Sequence, residues 1–156
     1  MVETGPEAPQ PSEGALDHRV VVRTGQARYR SDVAVRGHEL VADEPAERGG
    51  GDFGPTPFDL LCAALASCTT ITLRMYADRK GWPLEEIVAR VEHRSGGGGG
   101  NVEGGQTRDQ MVVTLALEGD LEAGQRDRLA EIAARCPVHR TLLAGLDIET
   151  GIEEPE

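Results

Sequence analysis

The chain has 156 residues, a mass of 16.7 kDa and a formal net charge of −11, so it is long enough to bury a core as one domain. The negative charge argues against nucleic acid as a partner, because phosphate groups bind lysine and arginine. Most of the excess acid lies in residues 1–17 and 147–156, which contain no basic residue. The acidity therefore indicates solubility rather than a choice of partner.

The first 17 residues are rich in proline, glycine and glutamate, which predicts a disordered acidic tail. A single domain over residues 18–156 is expected to follow it. The N-terminus has no basic region followed by an apolar run, so no signal peptide is predicted, and no stretch is expected to approach the length of a membrane span. Three cysteines without a secretory signal favour a reducing, cytoplasmic location and no membrane partner.

Residues 18–45 contain short β-branched runs between turn residues, which predict two or three antiparallel strands. The glycine-rich residues 46–55 predict a flexible loop. A long helix is then expected to begin with Thr56 as its N-cap and Pro57 in its first turn, and to end near Lys80 before Gly81. Residues 58–71 carry one charge, so this part of the helix is expected to be buried nearly all round.

Residues 84–94 and 108–119 predict two strands, joined by a flexible glycine-rich hairpin connection over residues 95–106. Residues 121–136 predict an amphipathic helix. Its apolar positions, at spacings of three, four and seven, are Leu129, Ile132, Ala133 and Cys136. Residues 146–153 predict a closing strand. The order of strands, long helix, strands, helix and strand predicts an α+β fold.

The cysteines are the main chemical signal. Cys68 shares a face of the long helix with apolar residues, whereas Cys62 lies roughly 120° away around it, so these two cannot form a disulfide within one helix. If Cys68 has a partner in the chain, that partner is Cys136. Pro137 predicts a new helix with Cys136 near its N-cap, where a thiolate is favoured. Taken alone, Cys68 is either a small core residue or a reactive thiol.

Other sites have weaker support. A zinc site at Cys136 and His139 has no second ligand pair in the sequence. His18, His38 and His93 lie in strand-like segments with no evident pairing, which predicts surface positions. The G-x-S-x-G motif of hydrolases does not occur, and the glycine run lacks the lysine of a phosphate-binding loop.

Two segments together carry a family resemblance: "DEPAERGGGDFGPTPFDLLCAALASCTTITLRMYADRKGWPLEEI" and, about 50 residues later, "ARCPVHRTLLAG". Over residues 18–152 the chain resembles the OsmC/Ohr family. A G-P-T-P helix entry, an A-x-x-x-C on the long helix and a distal C-P match in order. The forms "GPTPFDLL" and "CPVHRTL" look like the OsmC-like branch rather than the organic hydroperoxide resistance branch.

This resemblance implies an intertwined homodimer with curved antiparallel sheets and a long buried central helix. It also implies a thiol-dependent peroxidase that reduces organic hydroperoxides, and hydrogen peroxide less well. By position, Cys68 matches the peroxidatic cysteine and Cys136 the resolving cysteine. Their disulfide would be reduced by an external dithiol of the dihydrolipoamide kind, with no bound cofactor.

The resemblance further implies an arginine from the N-terminal strands that stabilises the thiolate and is held by a carboxylate near the start of the long helix. Arg28 is the first candidate for the arginine, with Arg23 and Arg30 as alternatives. Asp59 is the candidate carboxylate, because Phe58 occupies the place where the family's glutamate follows the proline. A rival interpretation is a binding protein for a hydrophobic small molecule in the interface pocket, without catalysis. Cys62 is expected to serve core packing.

Overall fold

The computed structural model describes residues 19–96 and 108–153. They belong to two compact units, with the boundary in the chain between Pro57 and Phe58. The predicted tail over residues 1–17 lies outside the described residues, as do His18 and most of the predicted glycine-rich hairpin connection. A single domain over residues 18–156 stays a prediction.

The first unit contains a three-stranded antiparallel sheet. Its strands are β1 (Val20–Thr24), β2 (Ser31–Val35) and β3 (His38–Ala42), in that order across the sheet. Val33 on the central strand lies opposite Val22 on one side and Leu40 on the other. The strands predicted in residues 18–45 are therefore confirmed, and there are three of them.

The glycine-rich stretch after β3 is organised around a buried carboxylate. Asp43 is 2% exposed, and its side chain accepts hydrogen bonds from the backbone amides of Glu44 at 2.8 Å, Gly51 at 3.0 Å and Phe53 at 3.2 Å. A short 3-10 turn at Ala46–Arg48 lies within the loop. The predicted loop is therefore present apart from this turn, and its flexibility stays a prediction. Composition does not reveal that one carboxylate binds three backbone amides of this stretch.

These contacts make the first unit sensitive to acid. Burial raises the pKa of Asp43, but the three amide hydrogen bonds and the nearby Arg30 hold it below its ordinary value. A carboxylate whose pKa is lowered by folding stabilises the folded state at pH values above its pKa in the unfolded chain. This contribution is lost as the pH falls through its pKa in the folded protein. Asp43→Asn should therefore be less stable than the wild type at neutral pH, and the difference should shrink below about pH 4.

Urea unfolding of both proteins at neutral and acidic pH measures this difference. Asp32→Asn is the matched control, since Asp32 makes only an exposed ion pair with Arg30 and such pairs contribute little. A difference for Asp43→Asn that persists unchanged at acidic pH would contradict the assignment.

The second unit contains the long helix, α1 (Pro57–Lys80), at the predicted position. It ends before Gly81, whose φ of +67° is the left-handed conformation that glycine adopts readily. The buried residues of α1 form one stripe at intervals of four: Leu65, Thr69, Leu73 and Ala77. Burial nearly all round is therefore wrong for residues 58–71 of the single chain, where Phe58 is 51% and Ile71 58% exposed.

Helix α1 also corrects the expectation about membrane-span length. It has 24 residues, and its most apolar 18-residue window has a mean hydropathy of 1.4, which suffices by length and composition to cross a membrane. Core helices of globular proteins can meet the same criterion, and Leu73 and Ala77 of α1 are fully buried in a core. The absence of a membrane partner stays a prediction.

The rest of the second unit packs against the buried stripe of α1. Its elements are β4 (Glu86–Arg94), β5 (Gln110–Glu118), α2 (Ala123–Ala133) and α3 (Pro137–Ala144). Strands β4 and β5 form the predicted antiparallel pair. The core comprises Leu73, Ala77, Leu84, Leu121, Leu129, Ile132 and Ala133. All four predicted apolar positions are buried, but α2 ends at Ala133, so Leu129, Ile132 and Ala133 lie on it and Cys136 lies beyond its end.

The closing strand predicted over residues 146–153 is not present. The described chain has no strand after β5, and α3 is followed by an irregular segment. Leu146, Ile148 and Ile152 are 63%, 82% and 97% exposed. Their alternation is typical of a strand, but a strand forms only where another edge pairs with it, and neither sheet of the described chain pairs with this segment.

Candidate active site

The candidate site is the place where α1 and the start of α3 bring two cysteines together. All three cysteines of the chain lie among the described residues as free thiols. Cys68 lies in the middle of α1 and Cys136 directly before α3, and Cys136 is near enough to raise the pKa of the Cys68 thiol. Thr69, the residue after Cys68, lies 3.6 Å from the Cys136 sulfur. Cys62 is partly buried on α1. The structure therefore brings together the two cysteines that the resemblance paired.

The local sequence explains the position of Cys136. Its backbone is extended as the N-cap of α3, and Pro137 occupies the first helical position, as predicted. The Cys136 Sγ atom is fully buried and accepts a hydrogen bond from the backbone N–H of His139 at 3.3 Å. Thr69 Oγ1 lies 3.6 Å from the same sulfur. Cys136 is thus held by both helices.

The Cys68 thiol is in a different environment. Burial raises its pKa, and a hydrogen bond and the charge of Cys136 raise it further. The backbone N–H of Val138 and the hydroxyl of Thr72 lower it, but the net pKa is raised. Within this unit alone, Cys68 is therefore more protonated at neutral pH than an ordinary cysteine, and a nucleophilic role requires a further positive group.

An apolar cavity of about 330 Å³ lies in the same unit. It is lined by residues of α1, β4, α3 and the β5 region: Phe58, Leu61, Leu65, His93, Asp109, Met111, Val113, His139, Leu142 and Leu143. Two of its lining residues are next to the cysteine pair. Leu65 lies one helical turn before Cys68, and the backbone N–H of His139 binds the sulfur of Cys136. A cavity of this size and lining suits a small organic molecule.

His93 supplies a polar group in this cavity. Its ring stacks on Phe58 with centroids 4.4 Å apart, its Nε2 lies 3.0 Å from Asp109, and its side chain is only 20% exposed. The amide of Gly96 and then His93 lower the pKa of Asp109. The surface position predicted for His93 was therefore wrong, whereas His38 is exposed as expected.

A match to a protein family identifies the fold. A model described as "OsmC-like protein" matches residues 49–151, which include both cysteines of the pair. The chain belongs to the OsmC-like protein family. No curated protein sequence matches it.

Solved structures with the same fold agree with this assignment of an OsmC-like protein. An OsmC-like protein from Mycoplasma pneumoniae has a TM-score of 0.69 at 14% identity, covering 82% of this chain and 88% of that one. The organic hydroperoxide resistance protein OsmC from Legionella pneumophila has a TM-score of 0.58 at 19% identity, and the match covers 82% of this chain and 90% of that one. The organic hydroperoxide resistance protein OhrB of Bacillus subtilis has a TM-score of 0.55 at 20% identity, and the match covers 80% of this chain and 89% of that one. The predicted α+β fold, with antiparallel sheets and a long helix, is confirmed.

The candidate arginines of this OsmC-like protein all belong to the first unit. Arg28 has a φ of 54°, and its guanidinium donates to the carbonyl oxygen of Gly49 at 3.0 Å. Arg30 pairs with Asp32 at 3.0 Å, and together with Arg23 it lines an open cavity on the three-stranded sheet. That one of these arginines stabilises the Cys68 thiolate stays a prediction.

The remaining predicted residues lie in the second unit. Asp59 is in the first turn of α1, where a carboxylate is favoured by the helix dipole, and its orienting role stays a prediction. His139 reaches Cys136 through its backbone N–H, while its ring lines the apolar cavity. Among residues 19–96 and 108–153 there is no group of three or more metal-binding side chains.

Proposed function

We propose that this OsmC-like protein is a thiol-dependent peroxidase that reduces organic hydroperoxides, and hydrogen peroxide less well, in defence against oxidative stress. The observation that supports this most directly is the proximity of Cys136 to the Cys68 segment of α1, with the Cys136 sulfur 3.6 Å from Thr69, in the unit that holds an apolar cavity. The reduction of one peroxide requires two electrons, and a pair of adjacent thiols can supply them by forming a disulfide. An apolar cavity favours binding of a hydroperoxide with an organic tail.

In the first step, the thiolate of Cys68 attacks the distal oxygen of the hydroperoxide. An S–O bond forms, the O–O bond breaks, and the departing alkoxide takes up a proton to become an alcohol. The sulfur is oxidised to a sulfenic acid and the peroxide is reduced.

In the second step, the sulfur of Cys136 attacks the sulfur of the Cys68 sulfenic acid. An S–S bond forms, the S–O bond breaks, and the hydroxide that leaves takes the thiol proton of Cys136 to give water. An external dithiol then reduces the disulfide by thiol exchange, so the cycle requires no bound cofactor. A reductant of the dihydrolipoamide kind is proposed.

The raised pKa of Cys68 calls for a nearby cation in the active form. We assign this role to Arg28, oriented by Asp59, following the arrangement that the family resemblance implies. The active form would be a cytoplasmic homodimer. The exposed apolar side chains of Ile71 and Met75 on α1 favour such an association.

A binding protein for a hydrophobic small molecule is the second candidate, and the apolar cavity favours it. In that case the cavity would be used without turnover, and the cysteines would serve packing. Activity measurements distinguish the two functions, because a binding protein leaves the hydroperoxide unchanged.

The purified protein should consume cumene or tert-butyl hydroperoxide when dihydrolipoamide or dithiothreitol is supplied, and hydrogen peroxide more slowly. The rate should rise from about pH 6 to 8, because at pH values below the pKa of Cys68 its thiolate fraction grows as the pH rises. Arg28→Ala should move this rise to higher pH, because the thiolate would lose a positive neighbour. Peroxide consumption at several pH values measures all three effects.

Two outcomes would count against this proposal. If neither organic hydroperoxide is consumed while either binds in the cavity, the binding function is favoured. If Arg28→Ala leaves the pH profile unchanged, the thiolate has another cation, and Arg23→Ala and Arg30→Ala identify which of the alternatives supplies it.

A further inference from the structure

Thr69 makes contacts that the proposed cycle does not yet use. It follows Cys68 on α1 and is 1% exposed. Its Oγ1 lies 2.8 Å from the carbonyl oxygen of Leu65 and 3.6 Å from the Sγ of Cys136, which is fully buried. A threonine hydroxyl can satisfy its hydrogen-bonding needs within its own helix, so the second contact calls for its own explanation.

The two acceptors limit where the hydrogens can lie. A hydroxyl has one hydrogen, and the carbonyl oxygen of Leu65 can only accept, so that hydrogen is directed at Leu65. The hydrogen left at the 3.6 Å contact between Thr69 and Cys136 is that of the thiol, so the S–H of Cys136 is the group able to donate to Thr69 Oγ1. Sulfur is a weak donor, and the buried site offers it a fixed acceptor.

The direction of the S–H bond determines what Cys136 presents to its neighbour. With its hydrogen turned to Thr69, the sulfur directs lone-pair density away from Thr69. The backbone N–H of His139 binds this sulfur at 3.3 Å, and Cys136 is near enough to Cys68 to raise the pKa of its thiol, so the remaining lone pair is left for Cys68. Attack on the Cys68 sulfur requires a lone pair in that direction.

We propose that Thr69 is a positioning residue for the resolving step, because its hydroxyl holds the Cys136 thiol with a lone pair turned to Cys68. This role rests on the proposed peroxidase function but concerns only the second step. The Thr69 hydroxyl contacts Leu65 and Cys136, whereas the first step takes place at the sulfur of Cys68. Formation of the sulfenic acid should therefore be independent of the Thr69 hydroxyl, whereas its conversion to the disulfide should depend on it.

The step balances without another reactant. The lone pair of Cys136 forms the S–S bond, and the electron pair of the S–O bond leaves with the hydroxide. The thiol proton of Cys136 joins this hydroxide, and one water molecule is released. Thr69 keeps its own hydrogen throughout.

The test compares Thr69→Val, which removes the hydroxyl at nearly constant volume, with Thr69→Ser, which keeps it. Thr70→Val is the matched control, because the Thr70 hydroxyl binds the carbonyl of Ser67 in the same helix. All variants carry Cys62→Ser so that only two thiols react. After one equivalent of cumene hydroperoxide, intact mass spectrometry with dimedone follows the sulfenic acid and the disulfide.

Thr69→Val should form the disulfide about tenfold more slowly than the Cys62→Ser parent and should accumulate the dimedone adduct. Its rate of peroxide consumption in a single turnover should stay unchanged. Thr69→Ser and Thr70→Val should behave like the parent. Disulfide formation at the parental rate in Thr69→Val would overturn the proposal. Equal slowing in Thr69→Ser and Thr69→Val would also overturn it, since packing rather than the hydroxyl would then be responsible.

A second reaction separates this role from the peroxidase function. The aromatic disulfide of Ellman's reagent forms a mixed disulfide with Cys68, and attack by Cys136 then releases a second coloured thiolate. Slowing of only this second release in Thr69→Val supports the role of Thr69 even if no peroxide is consumed. Parental rates of both releases would refute it even if peroxidase activity is present.

Discussion

The Cys68→Ser variant should lose hydroperoxide consumption by a factor on the order of 1,000 or more, because a serine hydroxyl is a much weaker nucleophile than a thiolate. The loss should appear in the first turnover, before any reductant is needed. Stopped-flow measurement of peroxide disappearance with the reduced protein gives this rate directly.

Cys62→Ser is the matched control for this result. Cys62 lies on the same helix six residues earlier, and its substitution should leave the rate within about twofold of the wild type. Cys136→Ser should still consume one equivalent of peroxide but should stop at a Cys68 sulfenic acid that dimedone traps. Equal hydroperoxide consumption by Cys68→Ser and the wild type would remove Cys68 from the mechanism.

The largest expected effect on stability comes from Leu129 in the core of the second unit. Its side chain is fully buried among residues of α1, α2 and the loops that follow α1 and β5. Leu129→Ala should lower the free energy of unfolding by about 2–5 kcal/mol, since it removes buried methyl groups and leaves a cavity that the neighbours only partly fill.

Leu146→Ala makes the same chemical change at a residue that is 63% exposed. It should change the free energy of unfolding by less than about 0.5 kcal/mol. Urea denaturation followed by circular dichroism measures both variants, and similar costs at the two positions would contradict the assignment of the core.

The features that the sequence predicts well depend on residues close together in the chain. Pro57 and Gly81 delimit α1 because proline is tolerated at a helix start and glycine adopts the left-handed conformation at its end. Cys136 caps α3 because Pro137 begins that helix. The apolar face of α2 follows from the 3.6-residue period. Each of these signals lies within one element.

The features that were missed depend on partners far away in the chain. His93 stacks on Phe58 and pairs with Asp109 because of the register of β4 and β5, and a long glycine-rich connection conceals that register in the sequence. Residues 146–153 alternate like a strand, but alternation cannot say whether an edge will be available to pair with them. The contact of Thr69 with Cys136 joins residues 67 positions apart.

The position of the two cysteines also links the proposed oxidation state to the unfolding equilibrium. A disulfide between Cys68 and Cys136 would close a loop of roughly 70 residues, and a loop of that length lowers the chain entropy of the unfolded state enough to add about 4 kcal/mol to stability. Heat or denaturant would then unfold the reduced protein more readily than the oxidised one. A cell under peroxide stress would hold this protein in its more durable form, and the return of reductant would make the chain easier to unfold and degrade.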